Sequence, residues 1–89
     1  MPRIVFTPQL RRFTAAPDVV CDAPTLRAAL DEAFARHPPL RGYVLDDQGH
    51  LRPNVVVFID GQRHADRIAL SDRLAPDSTV HVLQALSGG

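Results

Sequence analysis

One amphipathic helix stands among short β-like runs, and this arrangement constrains the fold more than any other feature of the sequence. Apolar residues recur at intervals of four and form a single stripe, which predicts a helix over residues 26–37. The stripe consists of Leu26, Leu30 and Phe34. Thr25 is suited to cap this helix, and His37-Pro38-Pro39 should end it because a residue before proline avoids the helical region. A lone helix with one apolar face packs against a sheet, so we predict an α+β fold.

The strand predictions rest on runs of β-branched and aromatic residues. These runs are residues 3–7, 17–21, 55–59 and 79–84. Asp60-Gly61 follows the third run and is typical of a two-residue type I′ hairpin. Alternation should turn Ile4, Phe6, Val80 and Val82 toward the core, and Val5 and Leu83 away from it. We expect the first and last strands to be central neighbours, so that the chain leaves the sheet from its most stable part.

Other stretches give weaker predictions. Residues 9–16 are expected to form a loop or a wide hairpin, and residues 40–45 are ambiguous, with a short strand as one interpretation. Turn-forming residues predict turns at 46–49 and 75–78. The residues expected to close one end of the core are Ile68, Leu70 and Leu74.

Size and composition favour an interaction or carrier role over a self-contained enzyme. A chain of 89 residues is expected to form one domain with a small core, for which its 45% hydrophobic content is sufficient. A formal net charge of +0 gives no electrostatic footprint for nucleic acid or anionic membrane. No apolar run approaches the roughly 18 residues that span a bilayer, and a single cysteine is compatible with a reducing compartment. We therefore expect a cytoplasmic protein that binds neither nucleic acid nor membrane.

The sequence ends in Ala85-Leu86-Ser87-Gly88-Gly89, directly after the last β-like run. Glycine lets another backbone approach closely because it has no side chain. Two terminal glycines can therefore thread a narrow tunnel and present the carboxylate deep inside a partner enzyme. The competing interpretation is that small residues at a terminus have no role. We expect residues 1–84 to form the domain and residues 85–89 to form a flexible tail.

Other candidate sites carry weaker signals. The histidines are scattered and lack the spacing of convergent zinc ligands, so no metal site is predicted; they are His37, His50, His64 and His81. Cys21 lies beside valines and is expected to be a small core residue rather than a nucleophile. Asp46-Asp47 are interpreted as turn residues, and Arg11-Arg12 as part of a solvated loop that a partner could use.

The element order and the ending resemble the MoaD/ThiS family of ubiquitin-like sulfur carriers. The most specific parts of the resemblance are Gly88-Gly89, residues 54–61 and the Ala75-Pro76-Asp77-Ser78 turn before the last strand. The resemblance covers nearly the whole chain. It implies a β-grasp fold, in which a small mixed sheet has one main helix packed on one face.

The resemblance also implies a reaction cycle at the C-terminus. A MoeB/ThiF-like adenylyltransferase would use ATP to adenylate the carboxylate of Gly89, a sulfur donor would convert it to a thiocarboxylate, and an acceptor enzyme would take the sulfur. Gly88 would give clearance, and the approach would be formed by Ala85, Leu86 and Ser87. This chain would bind no cofactor itself, because the partners supply the ATP and the catalytic groups.

Several alternatives stay open. Leu83 could join Val5 in an apolar docking patch, or it could be partly buried under Leu70 or Leu74. The same tail would serve a protein modifier conjugated through Gly89, and a plain β-grasp binding module would use a sheet edge or a surface patch instead. Residues 40–52 form a longer segment than in the shortest family members. The acceptor pathway stays open among molybdopterin, thiamin, cysteine, a thiolated nucleoside and a secondary metabolite.

Overall fold

The computed structural model describes residues 1–7, 17–63 and 68–84. Its elements are β1 (Arg3–Phe6), β2 (Val19–Val20), α1 (Leu26–Arg36), α2 (Pro39–Val44), β3 (Val55–Ile59), β4 (Gln62–Arg63) and β5 (Thr79–Gln84). The strands form one sheet in the order β2-β1-β5-β3-β4. β1 and β5 run parallel, and every other neighbouring pair runs antiparallel. The predicted α+β class with a mixed sheet is confirmed.

β5 occupies the centre of the sheet, with β1 on one side and β3 on the other. The whole of β1 pairs with the first part of β5, from Arg3 opposite Thr79 to Phe6 opposite Val82. The whole of β3 also pairs with β5, and this pairing extends to Gln84, the last residue of β5. The first and last strands are therefore central neighbours, as predicted, and β5 is hydrogen-bonded on both sides.

α1 covers one face of the sheet with the apolar stripe predicted from the sequence. Its buried residues are Leu26, Ala29, Leu30, Ala33 and Phe34. They form one core with the inward-facing strand residues, which are Ile4, Phe6, Val55, Val57, Val80 and Val82. The Thr25 hydroxyl accepts a hydrogen bond from the Ala28 N–H at 3.2 Å, so the predicted N-cap is confirmed. The predicted alternation along the first and last strands is confirmed as well.

The ambiguous stretch forms a helix, so the interpretation of residues 40–45 as a strand is wrong. α2 spans Pro39–Val44 and buries Leu40 and Val44, which lie on the same face. Proline at the start of a helix is favourable because its fixed φ suits the helix and its missing N–H would have had no partner there. The proline pair therefore ends α1 at Arg36, one residue before the predicted end, and it starts a second helix.

The second strand is shorter than predicted, because β2 covers only Val19–Val20 of residues 17–21. Arg3 pairs with Val20 and Ile4 with Val19 in antiparallel register. Continuing that register would place Pro17, which has no N–H to donate, opposite β1. The predicted loop at residues 9–16, including Arg11-Arg12, lies outside the described residues.

The segment before β5 closes the core with only part of the predicted set. Leu70 is fully buried and Leu74 packs against the core, but Ile68 is 61% exposed, so its predicted burial is wrong. Arg27 of α1 holds this segment, since its guanidinium donates to the Ile68 carbonyl at 2.6 Å. The same guanidinium donates to the Gly49 carbonyl, in the turn at 46–49, at 2.9 Å. The positive φ of 54° at Leu70 turns the backbone so that Leu70 enters the core.

The predicted hairpin after β3 is confirmed and also anchors β5. Asp60 and Gly61 have φ values of 50° and 84°, as a type I′ turn requires, and the flanking strands β3 and β4 pair. The Asp60 carboxylate accepts hydrogen bonds from the Thr79 N–H and from the Ser78 hydroxyl, both at 2.9 Å. These two hydrogen bonds offset the cost of the positive φ at Asp60, and they fix the start of the central strand, β5. The predicted turns at 46–49 and 75–78 are also present.

Candidate functional site

The face of the sheet opposite α1 carries apolar side chains that are exposed or only partly buried, close to the end of β5. Leu83 lies there, 40% exposed, opposite Val56 of β3. Val5 of β1 lies on the same face, opposite His81 of β5. Leu83 and Val5 therefore share one surface, as predicted, but they are diagonal neighbours on adjacent strands rather than a direct pair.

Three further residues complete this surface, and sequence reasoning missed them. Val56 pairs with Leu83, and Phe58 pairs with His81. Side chains directly opposite each other on one face of a sheet lie about 5 Å apart. The outer-face patch, as we call it, consists of Val5, Val56, Phe58, His81 and Leu83. The alternation within β3 is the available signal, because the burial of Val55 and Val57 leaves Val56 and Phe58 on the other face.

Leu83 is not buried under Leu70 or Leu74, so that alternative is wrong. Leu70 belongs to the core and Leu74 packs against it, whereas Leu83 points from the other face of the sheet. Grouped apolar side chains on an exposed face are typical of interaction sites. The outer-face patch therefore has the character of a docking surface, and its use by a partner stays a prediction.

Where β5 ends, two side chains donate hydrogen bonds to the C-terminal end of α2. The Gln84 amide donates from Nε2 to the Tyr43 carbonyl of α2 at 3.3 Å. Arg52 binds the same helix end, since its Nε donates to the Gly42 carbonyl at 2.7 Å. Residues 85–89 lie outside the described residues. The roles predicted for Ala85, Leu86, Ser87, Gly88 and Gly89, and the boundary between the domain and the tail, therefore stay predictions.

Asp46, one of the other sites weighed from the sequence, has a structural explanation. Asp46 acts as a turn residue, because its Oδ1 accepts the N–H groups of His50 at 3.0 Å and Gln48 at 2.9 Å. These bonds, chiefly the one from His50, lower the pKa of Asp46. Within residues 1–7, 17–63 and 68–84, no group of three or more His, Cys, Asp or Glu could hold a metal ion. No helix in the same ranges is long and apolar enough to cross a membrane.

The only cysteine is a core residue. Cys21 is fully buried, and its thiol donates to the Pro2 carbonyl at 3.5 Å. Burial raises the pKa of the Cys21 thiol above its ordinary value, with the nearby Glu32 carboxylate adding to the effect. A neutral, inaccessible thiol is a poor nucleophile.

We expect an aromatic disulfide reagent to modify native Cys21 at least about 100-fold more slowly than the urea-unfolded chain, because modification requires opening of the core. The measurement is the absorbance of the released aromatic thiolate at one pH in both conditions. Similar rates in the two states would contradict the burial and would reopen the interpretation of Cys21 as a nucleophile.

Comparison with solved structures identifies the fold. SAMP1 from Haloferax volcanii matches with a TM-score of 0.78 and 24% identity, over 99% of this chain and 98% of that chain. A chain in the BexX/CysO complex of Amycolatopsis orientalis matches with a TM-score of 0.81 and 17% identity, over 100% of both chains. Urm1 from Sulfolobus solfataricus matches with a TM-score of 0.69 and 13% identity, over 94% of this chain and 100% of that chain. The chain has the ubiquitin-like β-grasp fold.

The ubiquitin-like β-grasp fold confirms the architecture that the resemblance implied. No family of sequences matches the chain, and no curated protein matches it either. The fold is thus established by the arrangement of the sheet and α1. In this fold the outer-face patch and the end of β5 lie side by side, because Leu83 of the patch directly precedes Gln84.

Proposed function

We propose that this chain is a carrier protein whose Gly89 carboxylate is adenylated and then converted to a thiocarboxylate that donates sulfur to an acceptor enzyme. One observation carries the proposal: the sequence runs from the end of the central strand of a ubiquitin-like β-grasp sheet, at Gln84, through a short segment to Gly88-Gly89. Because β5 is hydrogen-bonded to a strand on each side, the residue from which that segment starts is held in place. Glycines without side chains suit entry into a narrow active site.

The chemistry requires little of the carrier. A carboxylate is a poor electrophile, but its attack on the α-phosphate of ATP releases pyrophosphate and makes AMP the leaving group. A sulfur donor then displaces AMP, so that one carboxylate oxygen is replaced by sulfur. The catalytic groups belong to a MoeB/ThiF-like adenylyltransferase and to the acceptor enzyme. The chain therefore acts as a cosubstrate rather than as an enzyme, in the cytoplasm, and its acceptor pathway stays open.

The outer-face patch supports a docking step before the chemistry. It places Leu83 and Val56 beside the strand end from which residues 85–89 begin. A partner that binds the patch would hold the terminal residues near its own active site, so that the reaction at Gly89 becomes effectively intramolecular. We therefore propose that the adenylyltransferase and the acceptor enzyme both use this surface.

Intact-mass measurement tests the proposal. The chain is incubated with its cognate adenylyltransferase, ATP and a sulfur donor, and a reaction without ATP is the control. We expect a gain of about 16 Da, which corresponds to the exchange of oxygen for sulfur on an activated carboxyl group. Absence of the gain with the cognate enzyme would refute the proposal. So would a mature chain whose mass, before incubation, places its carboxylate at a residue other than Gly89.

A protein modifier is the second candidate, and a specific observation favours it. Two of the matching structures, from Haloferax volcanii and Methanosarcina acetivorans, are of proteins named small archaeal modifier protein 1. In this alternative the activated Gly89 forms an isopeptide bond with a lysine of another protein. Immunoblots of cell lysate should then show adducts of higher mass that disappear when Gly88 and Gly89 are deleted. A sulfur carrier that is not a modifier gives the mass gain without such adducts.

Leu83→Asp should raise the KM of the adenylyltransferase for this chain at least about tenfold, because it places a charge in an apolar interface. The fold should be preserved because the side chain is exposed. Ile68→Asp is a matched control, since Ile68 is an exposed apolar residue whose backbone lies beside α1, away from the outer-face patch. ATP-dependent pyrophosphate release measures the KM. Equal effects of the two substitutions, or no effect of Leu83→Asp, would exclude the patch as the docking surface.

A further inference from the structure

Gln84 carries a buried polar atom without a partner at the point where β5 ends. Among the residues that the structure describes, its Oε1 is the buried side-chain nitrogen or oxygen that has no hydrogen-bond partner. The other end of the same amide is engaged, since Nε2 donates to the Tyr43 carbonyl at 3.3 Å. The donor of the amide is therefore used while its acceptor is not.

The Tyr43 carbonyl fixes the orientation of this amide. Exchanging the oxygen and nitrogen of Gln84 would bring two acceptor oxygens face to face, so the unpaired atom is the oxygen. The carbonyls at the C-terminus of a helix have no partner within the helix. In α2, Arg52 takes the Gly42 carbonyl and Gln84 takes the next one. Gln84 thus contributes to the C-terminal cap of α2.

The resting position of Gln84 is weakly held. A buried acceptor without a donor destabilises the state that contains it, and a bond of 3.3 Å is longer than the usual range for this donor and acceptor. The residue as a whole is only partly buried, so rotation of its side chain can bring Oε1 to the surface. There it would lie at the end of β5, on the face that carries α2, at the start of the segment that leads to Gly89.

Resting on the proposed function, we propose that Gln84 is a positioning residue for docking to the adenylyltransferase. On docking, its side chain turns outward and Oε1 accepts a hydrogen bond from an N–H or O–H group of the enzyme. This bond fixes the last residue of β5 against the enzyme, and it therefore sets the point from which the terminal residues reach the active site. The Tyr43 carbonyl, at a helix end, is then solvated by water.

Two substitutions separate this role from the capping of α2. Gln84→Met has a similar length but removes both the acceptor and the donor. Gln84→Glu keeps an acceptor oxygen and removes the donor to Tyr43. Both variants lose the bond to α2, and Gln84→Glu also places a carboxylate beside the Tyr43 carbonyl, so its unfolding midpoint should fall at least as far as that of Gln84→Met. Only Gln84→Met loses the bond to the enzyme.

We expect Gln84→Met to raise the KM for the chain about tenfold with kcat unchanged, and Gln84→Glu to keep a KM close to that of the wild type. The assay is ATP-dependent pyrophosphate release by the cognate adenylyltransferase. Equal KM values for the two variants, whether raised or unchanged, would overturn the inference. A wild-type chain that is not adenylated at all would instead refute the proposed function, so the two failures are distinguishable.

The wild-type chain offers an independent measurement that needs no variant. In a ¹⁵N-labelled sample, the side-chain NH₂ signals of Gln84 report the bond to Tyr43. We expect these signals to shift when the adenylyltransferase is added without ATP. Unchanged Gln84 side-chain signals in a complex that shifts the backbone signals of Leu83 would overturn the inference.

Discussion

Deletion of Gly88 and Gly89 should abolish adenylation of the chain and leave its fold unchanged. The shortened chain would end at Ser87, about 7 Å short of the original carboxylate if the residues are extended. Its terminal residue would also carry a side chain where the proposed tunnel accepts only backbone. Since attack on ATP requires close and aligned contact, a displacement of this size removes the reaction.

The measurement is ATP–pyrophosphate exchange with the cognate adenylyltransferase, accompanied by thermal unfolding of both chains. The fold should be preserved because the core contains residues no later than Val82 among those the structure describes. Ser87→Ala is the matched control, since it changes the same segment without moving the carboxylate, and it should keep full exchange. If the deleted chain still supports cellular function, the glycines are incidental and the chain is a plain β-grasp binding module.

Phe6→Ala should have the largest effect on stability, with a loss of about 3–5 kcal/mol in the free energy of unfolding. Phe6 is 1% exposed and lies opposite Val82 of the central strand, within the core formed with α1. Removing the ring leaves a cavity between the sheet and the helix. Small domains are stable by about 5–15 kcal/mol, so this loss is a large part of the total.

Val5→Ala is the matched control for Phe6→Ala, because Val5 is the neighbouring residue of β1 on the opposite face of the sheet. It is only partly buried, and we expect its loss to be about 1 kcal/mol or less. Urea denaturation of the three chains, fitted with a common slope, measures both differences. Similar losses for the two substitutions would mean that the assignment of the two faces of β1 is wrong.

Periodicity explains why much of the fold could be predicted from the sequence. The repeat of Leu26, Leu30 and Phe34 and the alternation of Val80 and Val82 reflect which face of a local element is buried, and a local pattern carries that information. Asp60-Gly61 was equally readable, because positive φ at two successive residues restricts the choice of amino acids. The expectation of central neighbours for the first and last strands also proved right.

The errors have physical reasons too. The interpretation of Pro38-Pro39 as only the end of α1 is incomplete, because proline also favours a helix start, and α2 follows. Ile68 and Leu70 are both apolar and two residues apart, so composition could not tell which one enters the core. The backbone turn at Leu70 and the bonds from Arg27 decide it.

The sequence by itself determined the helix α1, the main strands, the hairpin turn and the Gly88-Gly89 ending on which the proposed chemistry depends. Only the tertiary structure decided which outward-facing side chains lie together. Val5, Phe58 and His81 are far apart in the chain, and the register of β1 and β3 against β5 brings them into one row. Register is set by the packing of the whole sheet on its core, so no local stretch of sequence contains it.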